Sequence, residues 1–204
     1  MLPLLILASW PSYVGCDEAS QFFPDRFQID RSNITVQETS PFLVRGRPVE
    51  PGSVAWDRYS NSIVKHQSLV SCLVRTEQEA LRPNTLKVAW NEIRSKVEIE
   101  VCLFRIFTSL KDSKAIEEWL QYHGFRVIGK RRFLTKDPPA LRGTDQSVYR
   151  IEGYWTERQY REKTNSLLFG LFGNPLNRGF SVAVFFDAHG SITGAGIDHM
   201  SGFN

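Results

Sequence analysis

The segment GFSVAVFFDAHGSITGAGIDH, residues 179–199, decides the fold because it predicts a β-hairpin. A run of β-branched and aromatic residues leads into Asp187-Ala188-His189-Gly190, whose residue types are typical of a tight turn. Two segments further upstream, FRVIGKRRF (125–133) and VYRIEGYW (148–155), alternate apolar and charged residues with the two-residue period of a strand. These segments predict an antiparallel sheet in the second half of the chain.

The segment KVEIEVCLFRIFT, residues 96–108, also alternates at its start, where Glu98 and Glu100 separate apolar residues. Beyond Cys102 both faces of the segment turn apolar, which predicts a strand at the centre of the sheet. In that arrangement the two glutamates would share a polar sheet face with the basic residues of the 125–133 strand, Arg126, Lys130 and Arg132.

Helices are predicted before and after this segment. DSKAIEEWLQYHG, residues 112–124, has an inward apolar stripe, a cap at Asp112 or Ser113, and Gly124 as its C-terminal glycine. Earlier patterns predict a helix from Ser53 to about residue 74, a short helical piece over 77–81, and another helix beginning near residue 84. The predicted fold class is therefore α+β, an antiparallel β-sheet with helices packed on one face.

Composition limits the size and the class of the protein. The chain has 204 residues, of which 42% are hydrophobic and 12% aromatic, and its formal net charge is +3. This suits one globular domain with a substantial core. The small charge excess argues against a nucleic-acid partner, which would require a strong and clustered basic surface. No internal run of apolar residues is long enough to span a bilayer.

The first sixteen residues, MLPLLILASWPSYVGC, form an uncharged apolar run followed by small residues. The run is too short for a membrane-spanning helix and has the length of the apolar core of a secretory signal. Val14, Gly15 and Cys16 end this segment, with Tyr13 before them. They resemble the last positions of a bacterial lipobox, in which a leucine-like residue and two small residues precede an invariant cysteine.

The resemblance to bacterial lipoproteins implies that residues 1–15 are a signal peptide and that Cys16 carries the lipid, with acyl chains such as palmitate. Asp17 would then resemble a sorting residue that retains a lipoprotein at the periplasmic face of the inner membrane, with the outer membrane as the alternative. Residues 16–52, which contain Pro24, Pro41, Pro48 and Pro51, would form a lipid-anchored tether and irregular lead-in, and residues 53–204 a single α+β domain. The alternative is a cytosolic protein whose N-terminal strand ends at a free Cys16.

The chain has three cysteines. If lipid takes Cys16, Cys72 and Cys102 remain as a pair that could form a disulfide in the oxidising periplasm. The alternative is two buried thiols that pack as small hydrophobic side chains. The sequence contains neither a CxxC motif nor a Cys/His cluster, so we predict no metal site and no cofactor.

No catalytic residue is predicted. His66, His123, His189 and His199 each lack a partner at a suitable spacing, and His123 is expected at a helix C-terminus, where a cation is favourable. The chain also lacks a nucleophile elbow and a phosphate-binding glycine loop. One apolar, glycine-flanked stretch is a candidate surface for a partner or lipid, with a buried position as the alternative; its residues are Leu168, Phe169, Leu171 and Phe172.

These observations favour a non-enzymatic, membrane-anchored periplasmic lipoprotein that binds a protein partner. An immunity-type inhibitor of a secreted toxin is one such protein. The alternative function is a small periplasmic hydrolase or ligand-binding domain, whose site forms only when distant residues meet in the folded chain.

Overall fold

The computed structural model describes residues 27, 41–44, 46–79, 85–110, 112–132, 147–164 and 177–201. Within these ranges the strands are β1 (Leu43–Val44), β2 (Arg47–Pro48), β3 (Arg126–Arg132), β4 (Tyr149–Thr156), β5 (Asn177–Phe186) and β6 (Ile192–Ser201). The helices are α1 (Trp56–Lys65), α2 (Arg75–Glu79), α3 (Lys96–Leu110), α4 (Ser113–Tyr122) and α5 (Glu157–Thr164), with a 3₁₀ turn at Val70–Cys72.

The main sheet has four strands in the order β3-β4-β5-β6, and each neighbouring pair is antiparallel. The predicted hairpin is therefore confirmed, as are the strands predicted over 125–133 and 148–155. Gly190 closes the β5–β6 turn with φ +87°, a left-handed conformation that glycine adopts without a steric penalty. A second sheet pairs only β1 with β2.

One face of the main sheet carries the core. Ile151 and Trp155 of β4 alternate onto the same face as Phe180, Val182 and Val184 of β5, and all five are essentially inaccessible to solvent. They pack with buried residues of α3 and α4 in one cluster, and Tyr160 of α5 stacks on Phe180 with ring centroids 5.1 Å apart. The structure thus has the predicted α+β class, with helices on one face of an antiparallel sheet.

The prediction of a central strand over 96–108 is wrong, because residues 96–110 form helix α3. This helix lies between the sheet and α1, and residues on every side of it are buried, including Ile99, Val101, Cys102 and Phe104. A helix enclosed in this way carries apolar residues on every side, so the amphipathic period that would identify it is weak. Glu98 and Glu100 are consequently on a helix near α1, away from the basic residues of β3.

The 112–124 helix is confirmed as α4. Asp112 caps it, because a carboxylate oxygen accepts a hydrogen bond from the backbone N–H of Lys114 at 3.0 Å. Gly124 follows with φ +82°, as expected for a C-terminal glycine. The helix expected to begin near residue 84 is absent from the described part, 85–95, which pairs with the 3₁₀ region through an isolated bridge between Leu73 and Val88.

The first helix is shorter than predicted. Helix α1 begins after Ala55 rather than at Ser53, and it ends at His66, whose backbone N–H donates to the carbonyl of Ser62. Just before it, Phe42 and Val49 are buried in a small cluster with Tyr59 of α1 and Phe104 of α3. The sequence analysis assigned residues 41–52 to the lead-in. The part of this segment that the structure describes packs against the domain through Phe42 and Val49. The domain boundary at residue 53 stays a prediction.

Candidate functional site

The two cysteines that sequence analysis paired lie at disulfide distance. Their Sγ atoms are 2.12 Å apart and their Cα atoms 5.5 Å apart. Cys72 ends the 3₁₀ turn, Cys102 lies in the middle of α3, and both are fully buried. The bond therefore ties an irregular segment to the central helix, and of the two states left open by the sequence the structure contains the disulfide.

His66 lies beside this disulfide. The sequence analysis did not predict that position for His66. One ring nitrogen of His66 and the two Sγ atoms all lie within 4.8 Å of one another. The side chain is only 4% exposed, because α1 ends at His66 and directs the ring inward against α3. His66 and Cys72 are six residues apart, longer than the short spacings typical of paired metal ligands, and Cys102 is thirty residues further on, so the fold brings the three together.

The electrostatics around His66 keep its ring neutral near pH 7. Burial lowers the pKa of His66, the neighbouring Lys65 lowers it further, and Glu98 opposes these effects only in part. Glu98 Oε2 lies 3.7 Å from Nε2 of His66, which is beyond ordinary hydrogen-bond distance. The carboxylate attracts the ring, but it does not close a hydrogen bond with it.

Glu98 itself is held by two donors. Its Oε2 atom accepts from Nζ of Lys65 and from the backbone N–H of Arg94, each at 2.9 Å. Burial raises the pKa of Glu98, but these hydrogen bonds and the Lys65 charge outweigh that effect, so the pKa lies below its usual value. A negative charge therefore lies beside the buried imidazole.

A separate cavity of about 290 Å³ opens between the 85–91 segment and the sheet. It has apolar and aromatic walls with two lysines and one histidine; the lining residues are Val74, Lys87, Val88, Trp90, Asn91, His123, Trp155 and Lys163. No described carboxylate forms an ion pair with Lys87 or Lys163. The cavity therefore combines an apolar interior with a positive potential.

His123 forms one wall of this cavity and is neutral. Burial lowers its pKa to about 4, and Lys163 and Lys87 contribute to the shift. The location at a helix C-terminus is as predicted, but the expectation of a favourable cation there is wrong, because desolvation opposes the charge. Nε2 lies 2.8 Å from the carbonyl oxygen of Thr85, so the neutral ring must donate from Nε2 and carry its lone pair on Nδ1.

The opposite face of the sheet contains a buried charged group. Glu152 is completely inaccessible, and its carboxylate contacts the guanidinium groups of Arg150, at 3.0 Å, and Arg131. Tyr154 donates to the same carboxylate at 2.8 Å, and burial together with that hydrogen bond raises the pKa of Tyr154 to about 12. This network joins β3 to β4 and pairs charges that would otherwise be costly to bury.

A second buried carboxylate lies between α1 and α3. Tyr59 donates to Oε2 of Glu100 at 2.6 Å, and Arg58 lies 3.9 Å from the same oxygen. Burial raises the pKa of Glu100 despite the opposing contributions of Tyr59, Lys96 and Arg58. This glutamate is a structural partner of Tyr59, not a member of the polar sheet face that the sequence predicted.

The remaining predicted site residues either lie outside the described part of the chain or sit at the surface. Cys16 and Asp17 lie outside the described residues, as do the four residues of the apolar stretch, Leu168, Phe169, Leu171 and Phe172. His189 occupies the exposed β5–β6 turn, where its backbone N–H donates to Asp187 at 2.8 Å. The predicted lipidation, sorting and partner-surface residues thus stay predictions.

Comparison with protein-family models, with curated proteins and with solved structures finds no match for the chain. None of the helices in the described ranges is long and apolar enough to cross a membrane.

Proposed function

We propose that the protein is a periplasmic lipoprotein, anchored to the membrane through a lipid on Cys16, whose α+β domain binds a protein partner. The disulfide between Cys72 and Cys102 is the observation that supports this proposal most directly. Disulfides persist in exported proteins and are rare in the reducing cytosol. If Cys16 carries lipid, every cysteine of the chain has a role.

Mass spectrometry of the mature chain from its native host tests the anchor. We expect the chain to begin at Cys16, with the mass increase of a lipid, and to fractionate with membranes. The Cys16→Ser variant is the control, and it should keep residues 1–15 and leave the lipid-bearing fraction. An unmodified Met1 on the native protein would contradict the proposal.

Photo-crosslinking in intact cells tests the protein partner. A photoreactive residue at Leu168 or Phe172 should give one discrete adduct, because the proposal places this apolar stretch in the interface with the partner. The matched control is Val64, an apolar residue that is 60% exposed on α1. Adducts of the same size at all three positions, or at none, would argue against a partner on that stretch. A partner that is a secreted toxin should be inactive in the purified complex.

The cavity supports a second candidate, a domain that binds a small ligand. Its volume of about 290 Å³ is at the lower end of known ligand sites, and its two lysines with two tryptophans suit a small aromatic carboxylate. Titration with benzoate should quench the fluorescence of Trp90 or Trp155. The double variant Lys87→Gln/Lys163→Gln should weaken binding roughly tenfold or more, since hydrogen bonds to charged groups are strong. Lys114→Gln, an exposed lysine on α4, is the control; equal loss in both variants would exclude the cavity.

A further inference from the structure

The group formed by His66, Cys72 and Cys102 has the composition of a soft-metal site. Three elements supply it, namely the end of α1, the 3₁₀ turn and the middle of α3. The two sulfurs and one ring nitrogen lie within 4.8 Å of one another, and all three side chains are buried. Small movements of the side chains would place the three atoms around one ion.

The imidazole of His66 provides an independent indication of a ligand. The Ser71 backbone and the Glu98 carboxylate lie near its ring, but neither makes a hydrogen bond of ordinary geometry with a ring nitrogen, and a buried polar group without one is costly. A neutral ring offers one nitrogen lone pair to a metal, and a carboxylate such as Glu98, 3.7 Å from Nε2, is a common neighbour of ligating histidines.

The number and type of donors select the cation. Thiolates are soft ligands that favour Cu(I) or Zn(II), but structural zinc is almost always four-coordinate. No fourth histidine, cysteine or carboxylate joins the group in the part of the chain that the structure describes. Two sulfurs and one nitrogen in a dry pocket therefore suit trigonal Cu(I).

We propose that the dithiol form of the protein binds one Cu(I) ion through His66, Cys72 and Cys102, and that the disulfide form does not. A dithiol reductant supplies two electrons and two protons, which break the S–S bond and give two thiols while the reductant becomes its own disulfide. Cu(I) then replaces the two thiol protons, which are released to solvent. Disulfide and metal are thus alternative occupants of one site, which goes beyond the anchoring and binding roles proposed above.

Anaerobic copper titration tests this. The full chain carrying Cys16→Ser, so that only Cys72 and Cys102 titrate, is reduced with dithiothreitol and desalted. It is then titrated with Cu(I) in competition with bicinchoninate. We expect one Cu(I) per reduced chain and none per oxidised chain. His66→Asn should weaken binding at least about tenfold, whereas His123→Asn, at the other histidine that the described ranges show buried, should leave the affinity unchanged.

X-ray absorption of the unmutated site keeps the test independent of variant folding. We expect two sulfurs and one nitrogen around copper, and circular dichroism should show the reduced chain folded once Cu(I) is bound. Copper bound equally by oxidised and reduced chains would overturn the proposal. So would a coordination shell without nitrogen, or Zn(II) held in place of Cu(I) when both ions are offered.

Discussion

Loss of the bond between Cys72 and Cys102 should reduce the stability of the domain by an amount that the structure allows one to calculate. The two residues are separated by 30 positions. A cross-link closing a loop of this length lowers the entropy of the unfolded chain, which corresponds to about 3.6 kcal/mol at 25 °C in the chain-entropy model. For a protein of this size, that loss should lower Tm by roughly 7–14 °C. Cys72→Ala/Cys102→Ala should lose at least as much, because both positions are fully buried and the missing sulfurs add a packing cost.

Urea unfolding followed by tryptophan fluorescence measures this difference. The chain carrying Cys16→Ser, which prevents mispairing, is compared with and without dithiothreitol while Cys72 and Cys102 stay intact. The reduced chain should also show a larger denaturant slope, since its unfolded state exposes more surface. A difference in unfolding free energy below about 1 kcal/mol between oxidised and reduced samples would refute the cross-link as a main source of stability.

The remaining predictions concern buried titratable groups and one close contact. Because the pKa of His123 falls from 6.5 to about 4 on folding, the unfolded state binds more protons in that window. The free energy of unfolding should therefore fall by roughly 2–4 kcal/mol on account of His123 as the pH drops from 6.5 towards 4. In urea titrations over the same pH range, the free energy of unfolding of His123→Asn should fall less. The raised pKa of Glu100 has the opposite effect on the pH dependence of stability, so its contribution to the free energy of unfolding falls as the pH rises from 4.5 through the folded-state pKa. Glu100→Gln should flatten this dependence of the unfolding free energy on pH. Gly153→Ala should cost about 1–3 kcal/mol in urea unfolding, because a Cβ there would lie 3.1 Å from both Leu120 and Phe125.

Each of these has a result that would contradict it. Parallel stability curves for His123→Asn and the unmutated chain between pH 4 and 6.5 would show that His123 is not the acid-sensitive group. A steeper slope above pH 4.5 in Glu100→Gln would reverse the assigned sign. For the glycine, Gly129→Ala is the control, since its new Cβ meets only the flexible carboxylate of Glu117, at 3.3 Å; equal losses in both variants would exclude the contact as the cause.

Sequence reasoning succeeded where the signal was local. The β5–β6 turn contains its own turn residues, from Asp187 to Gly190, and helix α4 contains its own cap at Asp112 and its terminal glycine. These features act over a few residues, so the rest of the fold does not change their meaning. The strands β3 and β4 were predictable for the same reason, because apolar and charged side chains alternate along them and successive side chains point to opposite faces of a sheet.

The central helix shows why local signal is insufficient. Residues 96–101 alternate apolar and acidic side chains, but the segment folds as a helix because α1 lies on one side of it and the sheet on the other. Glu98 and Glu100 then meet Lys65 and Tyr59, contacts that span more than thirty residues. A run that is apolar all round suits a buried helix as well as a buried strand, and only the surrounding elements distinguish them.

The sequence by itself determined an α+β protein with an antiparallel hairpin, a capped helix over 112–124, and a pair of cysteines left over if Cys16 carries lipid. The tertiary structure alone decided that Cys72 and Cys102 are at bonding distance, that His66 joins them, and that His123 is neutral in a lysine-lined cavity. The physical reason is that turns and caps depend on neighbours in sequence, whereas donor distances and desolvation depend on which distant segments pack together.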